Sequence, residues 1–272
     1  MTASDPRSLR LDDYDCRYLE AGAGPVLLLV HGSLCDYRYW RPQMQPLAAA
    51  RRLVAPSLRR YWPEQWDGEG GGFNAQQHAD DLAALVEALD AGPVDLLGHS
   101  RGGTVAWLLA RQRPELVRSL TLAEPGLVLR GQDRLSFQMD RGNFRQRARE
   151  LLRAGEADAA LTLFVDTVSG DGTWARMVPW LKRMMTDNAN TLIGQAAERY
   201  VEAAAEDAAE LAMPVLLLGG ALSPPPYAAV LDALAAWLPR ARRLTIGNAS
   251  HAMNLWNPAE FNRAVLDFLS PP

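Results

Sequence analysis

The stretch that most restricts the fold is Gly98–Gly102, which reads Gly-His-Ser-Arg-Gly. The run before it, PVDLL, predicts a buried strand, and RGGTVAWLLARQ after it predicts an apolar helix. Only a very tight turn lifts a serine clear of a sheet and leads directly into a helix, and flanking glycines remove side chains that would clash there. Ser100 is therefore predicted to project as a nucleophile near the positive end of the helix. The alternative is a glycine-rich connection with an incidental serine.

Short apolar runs alternate with longer helical patterns along much of the chain, which is typical of an α/β sheet. From Leu127 to about Asp207 no convincing strand is present, only amphipathic helical stretches. This break predicts an α/β core made of residues 1–126 and 208–272, with an all-helical cap inserted at 127–207. The predicted strands lie within residues 25–32, 51–58, 92–100, 117–126, 213–220 and 242–247.

The composition limits the partners that the chain can have. Its 272 residues carry a net charge of −4 with no basic block, which argues against nucleic acid or an anionic membrane. No run approaches the roughly 18 to 20 apolar residues of a membrane span, and the N-terminus lacks the apolar run of a signal peptide. Cys16 and Cys35 indicate no disulfide framework and stand in no metal-binding spacing. We expect a cytoplasmic protein that takes a small-molecule substrate and uses no metal or cofactor, and the oligomeric state stays open.

A serine nucleophile needs a base, and the chain has four histidines. His78 lies inside a predicted helix, and alternation sends the side chain of His99 away from the nucleophile. His31 ends an early strand and is expected to organise its loop through hydrogen bonds rather than to react. His251, in a polar loop after the last strand, is left as the base. The alternative is an ordinary loop histidine.

The tetrahedral intermediate of acyl transfer also needs backbone donors aimed at its oxyanion. The amide of Arg101, directly after the nucleophile, is predicted to supply one donor. The amide of Ser33, which follows a His-Gly pair at the end of the first aliphatic run, is predicted to supply the other.

Three motifs carry a resemblance to a known family. HGS at 31–33, GHSRGG at 98–103 and SHAMN at 250–254, in this order and spacing, resemble the α/β-hydrolase superfamily over nearly the whole chain. The resemblance implies a mostly parallel eight-stranded sheet flanked by helices, a cap where the helical insertion falls, and the chain order nucleophile, acid, histidine. The branches that hydrolyse epoxides or remove halogens use aspartate, so Ser100 argues against them. These motifs identify the superfamily well and the substrate poorly.

The acid that orients the histidine is not where this family usually has it. After the strand PVLLLGG stand Leu222 and Ser223, and we expect Ser223 to cap a helix whose first turn holds the following prolines. Glu124, at another strand end, is the predicted acid, because some members of the superfamily have theirs at this position. The alternatives are a solvated Glu124 that starts the cap, a cap carboxylate such as Asp166, an acid-free dyad, and a degenerate site.

Aromatic and methionine side chains are candidates for the walls of an apolar pocket. Packing of the cap onto the core is the other interpretation for each residue in the cap. The cap residues are Phe137, Phe144, Phe164, Trp174, Met177, Trp180, Met184 and Met185. The candidate pocket residues are Trp174 and Trp180 on the cap side and His31, Tyr37 and Trp40 on the other wall.

Together these features predict a serine hydrolase that cleaves a small hydrophobic or aromatic acyl substrate through an acyl-enzyme. A carboxylic ester is the default substrate. Hydrolysis of a C–C bond, or acyl transfer, on the same triad is an alternative. A non-catalytic protein that binds small molecules with this fold is the other.

Overall fold

A computed structural model describes residues 5–131 and 143–270 of the chain. The strands are β1 (Arg7–Leu11), β2 (Tyr14–Ala21), β3 (Val26–Val30), β4 (Arg52–Pro56), β5 (Val94–His99), β6 (Val117–Ala123), β7 (Val128–Leu129), β8 (Glu202–Ala203), β9 (Val215–Gly220) and β10 (Ala241–Ile246). Eight of them form a sheet in the order β1-β2-β4-β3-β5-β6-β9-β10, in which the β1/β2 and β2/β4 pairs are antiparallel and the other five pairs are parallel. The predicted α/β fold with a mostly parallel eight-stranded sheet is thus confirmed.

Helices flank the sheet, and a side chain caps the start of the second of them. Asn74 caps the second helix by accepting a hydrogen bond from the amide of Gln77 at 2.7 Å. Short 3₁₀ helices span Tyr37–Trp40 and Pro114–Leu116. The α-helices are α1 (Arg41–Ala48), α2 (Ala75–Ala88), α3 (Arg101–Gln112), α4 (Phe144–Arg153), α5 (Ala157–Ser169), α6 (Thr173–Arg176), α7 (Pro179–Asp187), α8 (Thr191–Ala197), α9 (Ala205–Ala209), α10 (Tyr227–Trp237), α11 (Met253–Trp256) and α12 (Pro258–Leu269).

The central strands are buried on both faces, which is why they read as continuous aliphatic runs. Within β3, Leu28 and Val30 pack into the core layer that also holds side chains of α2, α3 and α10. Leu27 and Leu29 point to the opposite layer, which holds side chains of α1 and α12. Alternate side chains of a strand thus pack into the apolar layers on the two faces of the sheet. The carboxyl ends of the parallel strands lie at one edge of the sheet.

The segment between β6 and β9 is mostly helical, with one difference from the prediction. The two-residue strands β7 and β8 lie in it and pair in parallel. Helices α4 and α5 pack around a separate apolar cluster that includes Phe144, Phe164, Trp174 and the core residue Leu34. Phe137 lies outside the described residues. The division into residues 1–126, 127–207 and 208–272 stays a prediction.

In the described part of the chain, no helix combines the length and the apolarity needed to cross a membrane. Cys16 and Cys35 are both free and buried. The cytoplasmic location stays a prediction.

Candidate active site

Ser100 stands at the junction of β5 and α3 with a left-handed φ of 54°, which a non-glycine residue adopts only at a cost. Hydrogen bonds of the Ser100 amide and carbonyl stabilise this backbone conformation. The Ser100 amide donates to the carbonyl of Ala123 at 2.9 Å. Its carbonyl accepts from the amides of Gly103, Thr104 and Gly126 at 2.9, 3.2 and 3.0 Å. The tight turn predicted from the glycine spacing is therefore present, and the surrounding backbone fixes the position of the serine.

Ser100, His251 and Glu124 form a continuous chain of hydrogen bonds. The Ser100 Oγ lies 2.9 Å from His251 Nε2, and His251 Nδ1 lies 2.6 Å from Glu124 Oε2. His251 is 4% exposed and Glu124 is 1% exposed, so water does not compete for the bond between them. The other carboxylate oxygen of Glu124 accepts from the amide of Gly220 at 2.8 Å. The structure thus brings together the three side chains that the sequence suggests as nucleophile, base and acid.

The end of β9, where the α/β-hydrolase superfamily usually has its acid, holds Glu124 in place instead of supplying a carboxylate. Leu222 is 68% exposed there, whereas Gly220 at the end of β9 supplies the amide that holds Glu124. The prediction that Ser223 is a helix N-cap is wrong, since α10 begins only at Tyr227, after Pro226. The Ser223 hydroxyl is buried without a hydrogen-bond partner among the described residues. A run of three prolines delays the helix because the residue before a proline disfavours helical geometry.

The alternative acid Asp166 lies in other contacts. Its carboxylate accepts from the amides of Gly172 at 2.8 Å and Trp174 at 2.8 Å, and so closes the loop between α5 and α6. The described contacts of His251 include the carboxylate of Glu124 and not that of Asp166.

The two predicted oxyanion donors flank the serine. Ser33 and Arg101 line a cavity together with Ser100, and no described residue accepts a hydrogen bond from either of their amides. Gly32 brings the Ser33 loop against the nucleophile, because a Cβ added at Gly32 would lie only 3.1 Å from Ser100 Cβ. Both amides are thus free to bind a third group beside the serine, which is what an oxyanion requires.

Two rings on either side of His251 were not predicted as site residues. Tyr227 stacks on the His251 ring at 4.2 Å between centroids, and the ring of His99 lies 4.8 Å away on a tilt. His99 Nε2 is 2.8 Å from the His251 carbonyl, so His99 donates there. Together they fix the imidazole plane. Tyr227 ends the stretch PPPY, which has no pattern that would mark it as a neighbour of the base.

The side chain of Arg101 has a role that its sequence position does not reveal. It turns away from the serine and forms a bidentate ion pair with Glu198, at 3.0 and 2.5 Å. A third N–H donates to Nδ1 of the buried His78 at 2.9 Å. This network ties the first residue of α3 to the segment after α8, and thereby fixes the amide that follows the nucleophile.

Two cavities meet at Ser100, and both are also lined by Ser33, Phe164 and Val168. The first, called the polar cavity because it is the more polar of the two, has a volume of about 60 Å³. The second is largely apolar, has a volume of about 40 Å³ and also reaches His251. The first is further lined by residues such as Thr104, Phe144, Arg145, Gln195, Arg199 and Tyr200. The second is further lined by residues such as Leu34, Cys35, Val165, Met185 and Ala252.

The five predicted pocket residues line neither cavity. Trp40 is fully buried and Tyr37 nearly so, both in the core layer beside α1, because the 3₁₀ helix turns them inward. Trp174 packs within the cap cluster, its indole N–H donating to Asp158 at 2.9 Å, and Trp180 packs on the core layer with Arg41 5.5 Å from its ring. These four residues are packing residues, which corrects the prediction.

His31 is the fifth of these residues, and it organises its loop. It is fully buried, its Nδ1 donates to the carbonyl of Gly32 at 2.9 Å, and its Nε2 accepts from the amide of Leu58 at 3.1 Å. One ring nitrogen donates and the other accepts, which describes a neutral imidazole. Burial lowers the pKa of His31 to about 3 and also holds the pKa values of His78 and His99 well below their usual range.

These three buried histidines predict that acid weakens the fold. In the unfolded chain each titrates near its ordinary pKa of about 6.5, whereas in the folded chain the pKa is depressed. Their contribution is complete above the unfolded pKa and is lost as the pH falls below it, by up to about 1.4 kcal/mol per pH unit for each histidine. Urea unfolding between about pH 7.5 and about pH 5 measures the loss, which begins before carboxylates titrate. A free energy of unfolding that stays constant over this range would contradict the prediction.

Among residues 5–131 and 143–270, no group of three His, Cys, Asp or Glu side chains is arranged to hold a metal ion.

Comparison with known proteins gives the same fold. Residues 25–258 match a family described as the alpha/beta hydrolase fold. An epoxide hydrolase of Caballeronia sordidicola is 32% identical over 121 residues, which is 44% of this chain and 37% of that protein. A 2-hydroxymuconate semialdehyde hydrolase of Pseudomonas sp. (strain CF600) is 32% identical over 126 residues, 45% of this chain and 42% of that protein. The matched stretch thus spans only about two fifths of these curated relatives.

A solved structure extends the likeness to the whole chain. A hydrolase from Pseudomonas aeruginosa PA01 superposes with a TM-score of 0.82 at 24% identity, covering 99% of this chain and 100% of the other. At 24% identity the superposition shows only that the fold is shared, whereas the match over residues 25–258 shows the family. The chain belongs to the α/β-hydrolase fold family.

Proposed function

We propose that this protein is a serine hydrolase that cleaves a carboxylic ester of a small acyl group through an acyl-enzyme. The single observation that carries the proposal is the hydrogen-bond chain from Ser100 Oγ through the His251 ring to the buried Glu124 carboxylate, at 2.9 and 2.6 Å. A hydroxyl becomes an effective nucleophile only when a positioned base takes its proton, and this chain supplies such a base together with the group that orients it.

Acylation uses these contacts in order. As the Ser100 oxygen attacks the ester carbonyl carbon, its proton passes to His251 Nε2, while Nδ1–H stays hydrogen-bonded to Glu124. The carbonyl oxygen gains the negative charge, and the amides of Ser33 and Arg101 are placed to donate to it. When the C–O bond to the alcohol breaks, the Nε2 proton passes to the departing oxygen. The alcohol leaves and the acyl group stays on Ser100.

Deacylation repeats the steps with water. His251 Nε2 takes a proton from water, the resulting hydroxide adds to the acyl carbon, and the oxyanion forms in the same place. The bond to Ser100 Oγ then breaks, and the Nε2 proton returns to the serine. One water is consumed, and one alcohol and one carboxylic acid are formed.

The two cavities suggest how the ester lies. Of the two, His251 lines only the apolar cavity, and His251 must protonate the leaving group. The alcohol part therefore lies in the apolar cavity beside Leu34, Val165 and Met185. The acyl part then lies in the cavity lined by Arg101, whose amide faces the oxyanion. Ser100 occupies the place of the nucleophile, which argues against epoxide opening, the activity in the name of one relative.

Active-site labelling tests the proposal directly. We expect a fluorophosphonate to add once per chain, at Ser100, and intact-mass spectrometry to show the adduct. Ser100→Ala should remain unlabelled. Ser250→Ala is the matched control, since Ser250 lies next to the base but its hydroxyl donates to the carbonyl of Ser169 at 2.9 Å. An unlabelled wild type would contradict the proposal and favour a non-catalytic binding protein.

A substrate panel separates the reactions that the same triad supports. Short alkyl and aryl esters test ester hydrolysis, and added alcohols test acyl transfer. A vinylogous diketone tests C–C hydrolysis, the second candidate, because one relative is named a semialdehyde hydrolase. Turnover of the diketone alone would replace the ester by a C–C bond while keeping the roles of Ser100 and His251.

A further inference from the structure

Arg145 lines the polar cavity beside Ser100 and forms no ion pair with any carboxylate of the described residues. It extends from α4, its guanidinium lies 4.0 Å over the ring of Tyr200, and its Nε is buried with no hydrogen-bond partner. The residue as a whole is half-buried, but burying one of its charged donors without a partner costs free energy, because that donor loses its hydration without a replacement. An arginine left in this state beside a nucleophile therefore indicates that its partner is brought by the ligand.

The carboxylate of Glu198 lines the same cavity, but it is already paired with Arg101. Both oxygens of Glu198 accept hydrogen bonds from Arg101, at 2.5 and 3.0 Å. Burial lowers the pKa of Arg145, whereas at Arg101 the joint effect of Glu198 and Tyr61 exceeds that of burial and the pKa is raised. The charged residues that line the cavity are Arg101, Arg145, Arg199 and Glu198, so three positive charges minus one negative charge leave a surplus of two.

A second polar group in the same cavity also has no hydrogen-bond partner among the described residues. The Oε1 atom of Gln195 is buried without a hydrogen-bond donor, and Gln195 lines the cavity with Arg145 and Ser100. Unsatisfied buried polar groups are uncommon, and two in one cavity describe a site built for a polar ligand. With a volume of about 60 Å³, the cavity suits a short and compact group.

We propose that Arg145 binds a carboxylate on the acyl part of the substrate, so that the preferred substrates are half-esters of short dicarboxylic acids. The inference rests on the proposed function, since it names the substrate class of the same site. Arginine presents its N–H groups in a plane that matches both oxygens of a carboxylate. Hydrolysis then converts a half-ester and water into a dicarboxylate, an alcohol and a proton. The alcohol leaves through the apolar cavity, and the carboxylate stays opposite it.

Matched esters test the contact. Monoethyl esters of malonic, succinic and glutaric acids vary the distance between ester and carboxylate. For each, the uncharged isostere carries an isopropyl group in place of the carboxylate. We expect wild type to prefer the best half-ester over its isostere by about 10- to 100-fold in kcat/KM, the range of one hydrogen bond to a charged group. Arg145→Met should remove that preference, mainly through KM, and Arg145→Lys should retain part of it.

Arg147→Met is the matched control, because Arg147 lies on the same helix but is exposed. It should keep the preference for the half-ester, which separates a specific contact from the general charge of α4. The proposal is overturned if wild type hydrolyses half-ester and isostere equally well. It is also overturned if Arg145→Met lowers kcat/KM for both esters by the same factor.

A binding measurement separates this proposal from the hydrolase proposal. In the Ser100→Ala background, calorimetry should detect binding of the best half-ester's dicarboxylate, and adding Arg145→Met should weaken it by about 10-fold or more. Equal binding with and without Arg145 overturns the anion site even if Ser100 is labelled. Binding that depends on Arg145, in a protein that no fluorophosphonate labels, sustains the anion site while the hydrolase proposal fails.

Discussion

Glu124→Gln is expected to lower kcat by roughly three to four orders of magnitude while the fold stays intact. Glutamine keeps the shape and can still accept from the Gly220 amide, which now donates to Glu124 Oε1 at 2.8 Å. Its amide nitrogen, however, replaces the oxygen that lies 2.6 Å from His251 Nδ1. A donor at that position favours the tautomer in which Nδ1 accepts and Nε2 carries the proton. His251 then cannot accept the proton of Ser100, and the developing imidazolium loses its counter-charge.

Steady-state kinetics on the best ester measures the loss, and circular dichroism with thermal unfolding shows whether the fold is kept. Asp166→Asn is the matched control, because it makes the same change in a cap carboxylate that binds the amides of Gly172 and Trp174. We expect its kcat within a few-fold of wild type. Near-normal turnover in Glu124→Gln, or a large loss in Asp166→Asn, would move the acid away from Glu124.

The part of the molecule that sequence could predict is the part where local pattern and burial agree. β3, β5 and β9 are buried on both faces, so their residues form continuous aliphatic runs that mark a parallel sheet. The motif at Ser100 is predictable because the turn admits few residues. Glu124 could be suggested because a carboxylate directly follows a buried strand, but only coordinates bring it to 2.6 Å from His251.

The parts that sequence could not predict depend on tertiary contacts. β1 and β2 form an edge hairpin whose outward residues, such as Arg10 and Asp15, are polar, so the segment has no aliphatic run. Trp40 and Trp174 have the composition of a pocket wall, but residue type does not tell which way a side chain points. Arg145 lies among several arginines of an amphipathic helix, and only the packed cavity shows that its Nε has no hydrogen-bond partner among the described residues.

Gly102→Ala is expected to destabilise the fold by about 3 kcal/mol or more, although alanine is the better helix former by about 1 kcal/mol. A Cβ at Gly102 would lie 2.3 Å from the His31 carbonyl oxygen and 2.4 Å from that of Val30. Both are backbone atoms at the end of β3, so the first turn of α3 must move away from the strand. That movement separates the amide of Arg101 from the loop of Ser33, and the remaining folded protein should also lose activity.

Gly71→Ala is the control, since nothing lies within 4 Å of a Cβ added there and its φ is not left-handed. It should change the free energy of unfolding by less than about 1 kcal/mol, slightly in favour of the folded state because alanine restricts the unfolded chain. Urea unfolding of the two variants beside wild type measures both effects. If Gly102→Ala unfolds at the same urea concentration as wild type, α3 and β3 are not in the close contact seen here. Gly102 would then be needed only for the turn. The close contact instead predicts that Gly102 lets α3 pack against β3, and that this packing positions the amides of Ser33 and Arg101 beside Ser100.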